Sequence, residues 1–350
     1  MTTQNNAKAT APAAQPMMPP EAFLTNIAFG ALMTQALAVA AELKIADFLA
    51  EKPTSIVELA AATNTHENAL YRVLRSLAGV GIFQEIGGRI FSNTDYSEPL
   101  RSDAPNSMRN GAIFMGADWH WSVWGDALYS VQTGKPAWGH IHGAEVFDYF
   151  QQHAEHAAIF NGAMTDMSMG TAAPVVEAYD FSGIETLADI AGGHGYLLAQ
   201  ITKANENLTG VLFDMPQVIE GASALLEREN VTNRVETVAG DFFASVPSAD
   251  AYIMKHIIHD WDDERCVTIL KNIHRAMNGD GKVLIVESVV PEGNEPHYSK
   301  LLDLEMLVSP GGMERTAEEY RELLARAGFN LTRIIPTKSP FSIIEAVKCK

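Results

Sequence analysis

Residues 254–266 read MKHIIHDWDDERC and set one histidine, His259, directly before an aspartate, between the apolar run AYIM and a segment with helical character. Three chemistries suit such a residue: metal ligation in a histidine–aspartate hydrolase, general-base catalysis at the end of a strand, and a purely structural hydrogen bond. The pair alone does not choose among them. A metal centre would need further His and Asp ligands on neighbouring helices, whereas His259 follows a strand-like run, so no metal is expected.

The elements that must position His259 come from the second half of the chain. After residue 180 the pattern runs TLADIA, a helix at GYLLAQITKA, GVLFD, a helix from Pro216, VETVAG, ADAYIMK, a helix from about Asp262, and KVLIVES. Alternating strands and helices imply a parallel sheet. FNLTRIIPT and FSIIEAV are separated only by Lys338-Ser339-Pro340, too short for a crossover helix, so they are expected to close the sheet as an antiparallel hairpin. Seven strands result.

Ligands of such sheets sit at the carboxyl ends of the strands. The first strand ends in DIAGGHG, where Gly192, Gly193 and Gly195 let backbone pass close to a bound molecule. The second ends in Asp214, placed to accept hydrogen bonds from both hydroxyls of a ribose. The third ends in GDFF, where Asp241 and Phe242 suit the amine and the face of an adenine. At the end of the fourth, Lys255 suits a ligand carboxylate, with His259 four residues on. This ordered set points to an adenosine-containing cofactor. A nicotinamide dehydrogenase is the competing enzyme class, weakened by the absence of G-x-G-x-x-G and by the terminal hairpin.

Composition excludes other classes. The 350 residues are 47% hydrophobic and 19% charged, an ordinary globular balance, and 25 basic against 43 acidic residues leave a formal charge of −18, which disfavours binding to nucleic acid. Cys266 and Cys349 offer no disulfide framework. Residues 1–20 read as a disordered tail and not a signal peptide. The stretch EAFLTNIAFGALMTQALAVAAEL is interrupted by Asn26, Thr34 and Gln35, so it reads as an amphipathic packed helix and not a membrane span.

Residues 21–110 then form a helical, winged module. ENALYRVLRSLAGVG repeats Leu70, Val73, Leu74 and Leu77 on one helical face, and IFQEIGGRIFS is a hairpin about Gly87-Gly88. With only Arg72 and Arg75 as cations and Glu67 at its start, the helix is a poor DNA reader. A dimerisation role is expected, with a winged-helix DNA-binding regulator as the alternative. Residues 111–175 form a helical linker holding four of the five tryptophans and ending in FNGAMTDMSMG, whose aromatics and methionines suit a core or a pocket for flat ligands. Residues 176–350 are the cofactor-binding catalytic domain.

Taken together, FNGAM, DIAGGHG, LFDMPQVI, AGDFF, KHIIHDWDDERC and SPGGMERTAEEY followed by AGF resemble the S-adenosylmethionine-dependent small-molecule O-methyltransferases: plant caffeate-type, acetylserotonin-type and bacterial natural-product enzymes. The resemblance runs from about residue 25 to the end. Ala191 stands where plant members have a glycine, and His256 where they often have tryptophan. It implies a Rossmann-like methyltransferase sheet, S-adenosyl-L-methionine as cofactor and a small-molecule acceptor; with the charge, the two cysteines and the broken apolar run, a cytoplasmic homodimer without nucleic acid or membrane is expected. It further implies His259 as general base with Glu287 and Glu314 orienting and charging its imidazole. Phe160, Met164, His256 and Met306 are expected to line the acceptor pocket. Transfer to nitrogen on the same fold is the alternative reaction.

Overall fold

The computed structural model describes residues 18–349; most of the expected tail lies outside this range, and Pro20 already begins a helix. Helix α1 (Pro20–Glu42) starts with proline in its first turn, where a missing N–H costs nothing. It is not amphipathic as the sequence reading expects. It divides end to end: Ala38, Ala40 and Ala41 are buried, whereas Phe23, Leu24, Ile27, Phe29 and Leu32 are all exposed. Small residues let the last turns approach the helix Arg109–Gly116, where a Cβ on Gly116 would collide with Ala38.

A capping box between Ser55 and Glu58 starts the helix Ile56–Ala62. Helix α2 (Glu67–Gly79) buries Leu70, Leu74 and Leu77 on the face their spacing implies. The wing is the antiparallel pair Phe83–Glu85 and Ile90–Asn93, with Thr54–Ser55 as a third strand. Gly87 and Gly88 have φ of 106° and 62°, the left-handed backbone that such a turn demands. Arg89 of the wing pairs with Glu67 and lies over the Tyr71 ring, so this cation is engaged inside the module.

Of the linker tryptophans, Trp119 on α3 (Asp118–Gly125) and Trp138 form a buried aromatic cluster with Phe150. Trp124 instead faces a cavity. The long helix α4 (Ala154–Ala178) then runs onto the domain built around the larger sheet.

That domain is built on strands β1 (Thr186–Ile190), β2 (Thr209–Asp214), β3 (Val235–Ala239), β4 (Ala249–Lys255), β5 (Met277–Glu287), β6 (Phe329–Pro336) and β7 (Ser342–Lys348). Their order in the sheet is β3-β2-β1-β4-β5-β7-β6. The first five are parallel and β7 runs antiparallel to both β5 and β6. Both faces are covered, so successive residues feed opposite cores. Tyr252 and Met254 of β4 join the layer beneath α5 (Asp263–Ala276) and α7 (Ala317–Arg326), while Ala251 and Ile253 join the layer beneath α4. Chain order reverses between β1 and β4, and the crevice at their carboxyl ends is where this topology places a ligand. Helix α6 (Tyr298–Val308) closes the crevice from the side.

Candidate active site

A cavity of about 1530 Å³ opens at those strand ends, beneath α4 and α6. A pocket for a single drug-sized ligand measures roughly 300–1,000 Å³, so this space suits two molecules side by side.

The turn after β1 shapes one half. Ala191 keeps a left-handed backbone, φ 54°, where a glycine would be unstrained. A Cβ on Gly192 would come within 2.6 Å of the Asp189 carboxyl, so this glycine is required for close approach. Gly192 and Gly193 line the cavity. Gly195 does not: at φ 84° it begins the helix Tyr196–Ala204, and a Cβ there would strike Leu212. Gly195 thus seats the turn that carries Gly192 and Gly193 to the cavity wall.

Asp214 Oδ2 accepts from Gly193 N at 2.8 Å and Oδ1 from Met215 N at 2.7 Å. Burial pushes its carboxyl up to about 6, against the pull of those two amides. Each oxygen retains accepting capacity for a ligand hydroxyl. Asp189, which the sequence reading passes over, is pushed up to about 7 by burial, opposed by Lys255. Burial in turn pulls Lys255 down to about 8, while Asp189 and Glu287 oppose. A desolvated ammonium at a cavity wall matches a ligand carboxylate. Asp241 receives Phe243 N at 2.8 Å, and Phe242 meets Trp261 edge-on at 6.0 Å, forming an aromatic corner at the cavity. This donor set fits S-adenosylmethionine: acceptors for hydroxyls, a flat apolar corner, and a cation for the amino-acid end.

His259 sits in the short turn Ile258–Asp260 after β4 and is 4% exposed. Its Nδ1 lies 2.5 Å from Glu314 Oε1. A carboxylate only accepts, so Nδ1 carries hydrogen and Nε2 is left for another partner. Asp260 Oδ1 is 3.5 Å from Nε2. Burial disfavours charge on the ring, yet Asp260, Glu314 and Glu287 together push it up to about 9.

Glu287 acts on His259 through the backbone and through its charge, not by contact with the ring. Its Oε1 receives the backbone N–H groups of Ile257 and His259, each at 3.1 Å, and its other oxygen receives the Tyr320 hydroxyl. It holds the turn, and its charge reaches the ring through space. Arg315, fully buried, holds the same turn by donating to the carbonyls of Ile258 and Trp261 at 3.1 and 3.0 Å. Met313 N donates to His259 O at 2.9 Å, and a Cβ on Gly312 would collide with that oxygen, which explains the glycine.

Phe160 and Met164, one turn apart on α4, and Met306 on α6 line the other half of the cavity. His256 lines it too, with φ 57°, both ring nitrogens unpartnered, and its ring 5.1 Å from that of His259. Burial first, then Lys255 and His259, lower its pKa well below the ordinary range, so it is neutral. Sequence reasoning missed Asp260, Asp189, Trp261, Arg315 and Glu305. Asp260 and Trp261 had a signal, since they flank the histidine in HDW; the others become visible only through contacts.

The O-methyltransferase domain family matches residues 124–330, and the O-methyltransferase dimerisation domain matches residues 25–103. The chain is 44% identical over 330 residues to a phenazine O-methyltransferase of Lysobacter antibioticus, covering 94% of this chain and 96% of that one. It is 37% identical to the mitomycin biosynthesis 6-O-methyltransferase of Streptomyces lavendulae, over 93% and 94% of the two chains. The crystal structure of human N-acetylserotonin methyltransferase in complex with S-adenosylmethionine superposes with a TM-score of 0.88 at 26% identity, covering 97% of this chain and 100% of the other.

Proposed function

The chain belongs to the O-methyltransferase family and carries both its catalytic and its dimerisation domain, and from that membership we propose that it methylates a phenolic hydroxyl of a small aromatic acceptor with His259 as general base. S-adenosyl-L-methionine is the cofactor of the family and of its relatives. The observation that carries the base assignment is the Glu314–His259 contact of 2.5 Å, which leaves Nε2 at the cavity.

Asp214 would hold the ribose, Asp241 and Phe242 the adenine, Lys255 the carboxylate, and Gly192 and Gly193 would give backbone room. The bound cofactor supplies an electrophilic methyl carbon on a positively charged sulfur. A phenol has a pKa of about 10 and is a weak nucleophile until its proton is taken. With His259 near 9, base and acceptor are closely matched, so a proton between Nε2 and the phenolic oxygen moves with little free-energy change. Asp260 and Glu314 then stabilise the imidazolium. The reactive complex carries one proton fewer than imidazolium plus phenol.

A consequence for pH follows. Because the imidazole must start neutral, kcat/KM should rise with pH through the region near 9 and flatten above it. Glu314→Gln removes one anion from the ring, which lowers the His259 pKa and moves this rising limb to lower pH by about one unit or more. It should also reduce kcat, because the imidazolium formed on proton transfer loses support. Steady-state rates from pH 6 to 10 measure both; a limb that stays in place in Glu314→Gln would detach the titration from His259.

The homodimer implied by the dimerisation domain accounts for the exposed apolar half of α1. That helix is long and apolar enough to cross a membrane by length and composition. We assign its cover to a second copy because the matched dimerisation domain begins at residue 25, within it. Each apolar side chain so covered contributes about 1.5–3 kcal/mol. Leu24→Asp combined with Ile27→Asp should therefore raise the dimer dissociation constant by about 10²-fold or more, read by sedimentation velocity. A wild-type chain that sediments as a monomer at micromolar concentration would contradict the assignment.

A further inference from the structure

One charged side chain of the acceptor half has no part in the chemistry above. Glu305, on α6 beside Met306, lines the cavity with its side chain 15% exposed. Trp124 Nε1 donates to its Oε2 at 2.7 Å, and His120 Nε2 donates to its Oε1 at 2.9 Å. Both donors come from α3, and His120 is fully buried, with its ring 4.4 Å from that of Phe114, another cavity-lining residue. The carboxylate is thus held in one rotamer from behind. Two bonds leave about half of its accepting capacity unused, and what is exposed adjoins the cavity.

We propose that Glu305 is a specificity-determining residue that selects aromatic acceptors bearing a second hydrogen-bond donor, a hydroxyl or N–H, and rejects those bearing a carboxylate; this rests on the methyltransferase reading. A desolvated carboxylate gains from each further donor, so an acceptor that supplies one binds more tightly. An acceptor carboxylate meets repulsion instead. Lys255 and Arg265 are the only Lys or Arg side chains among the described lining residues. Lys255 stands at the cofactor end, and Arg265 is engaged by Glu145 through two bonds of 2.9 and 3.0 Å. Asp148 adds further negative charge to the walls, and the cationic form of His259 is already balanced by Glu314 at 2.5 Å and Asp260 at 3.5 Å. Discrimination of this kind comes as much from the penalty on the wrong ligand as from the gain on the right one.

The test compares two naphthols that differ only at position 1, 1,6-dihydroxynaphthalene and 6-hydroxy-1-naphthoic acid. Their dissociation constants are measured on the S-adenosylhomocysteine complex by calorimetry, and kcat/KM is measured with labelled S-adenosylmethionine. The wild type should bind the dihydroxy compound about 10²-fold more tightly, a ratio of the size that polar-group discrimination reaches. Glu305→Gln should shrink the ratio below about tenfold. Glu305→Met provides a second variant that needs no hydrogen-bond partners, and both are checked by melting temperature. A wild-type ratio near one overturns the proposal whatever the variants do, as does a ratio that survives in a folded variant. Failure of the wild type to bind S-adenosylhomocysteine would instead overturn the methyltransferase reading, and this proposal with it.

Discussion

His259→Ala should lower kcat by roughly 10²–10⁴ while S-adenosylhomocysteine affinity stays within about twofold of wild type. The separation follows from position. His259 belongs to the turn after β4, and its Nε2 is available at the cavity, whereas the groups assigned to the cofactor are Asp214, Lys255 and the glycine turn. Removing the ring leaves Glu314 without its partner inside the protein, with Oε2 already unpartnered. Some stability is lost with it, so His259→Asn is the second variant, retaining a polar group of similar reach without basicity. Both should fall alike in turnover at pH 8, and both should lose the rising limb near pH 9. A His259→Asn enzyme turning over a phenol at near the wild-type rate would show that proximity alone suffices. A variant that binds no cofactor would make the residue structural.

The second large effect belongs to the cofactor. Asp214→Ala should weaken S-adenosylhomocysteine binding by roughly 10²-fold or more, because hydrogen bonds to a charged acceptor contribute about 1.5–3 kcal/mol each and the proposed role of Asp214 is to accept from two ribose hydroxyls. The same change removes the acceptor for Gly193 N, loosening the turn that lines the cavity. Asp214→Asn should lose less, about tenfold, since one amide oxygen still accepts. Asp214 is held near 6 by burial, so wild-type affinity should itself fall as pH drops below that value and the carboxyl gains a proton. Titration calorimetry between pH 5 and 8 reads all three. An Asp214→Ala protein with wild-type affinity would remove the ribose assignment.

Much of this molecule was legible before any coordinate. Alternating strand and helix signals, the short Lys338–Pro340 connection and the Gly87-Gly88 turn carry their geometry in a few consecutive residues, and the sheet and wing form as expected. Strand ends in a parallel sheet converge by topology, so Asp214, Asp241 and Lys255 could be read as one site from their order alone. The whole-chain charge of −18 spoke against nucleic acid without reference to any fold. Glu287 and Glu314 entered through the family resemblance, since neither lies near His259 in the chain.

What only the tertiary structure decided concerns which atom of each residue meets which partner. Glu314 reaches the ring of His259 across 55 positions, while Glu287 reaches only its backbone. Gly195 caps the helix Tyr196–Ala204 behind the Gly192-Gly193 turn, where the Leu212 side chain leaves no room for a Cβ. From sequence the whole of α1 reads as an amphipathic packed helix, because composition does not reveal which surface lacks a neighbour within one chain; its first half is exposed. Glu305 was invisible for the same reason. A carboxylate's meaning lies in the donors that desolvate and clamp it, and Trp124 and His120 come from a helix some 180 residues away in sequence, brought there by packing and by no local pattern.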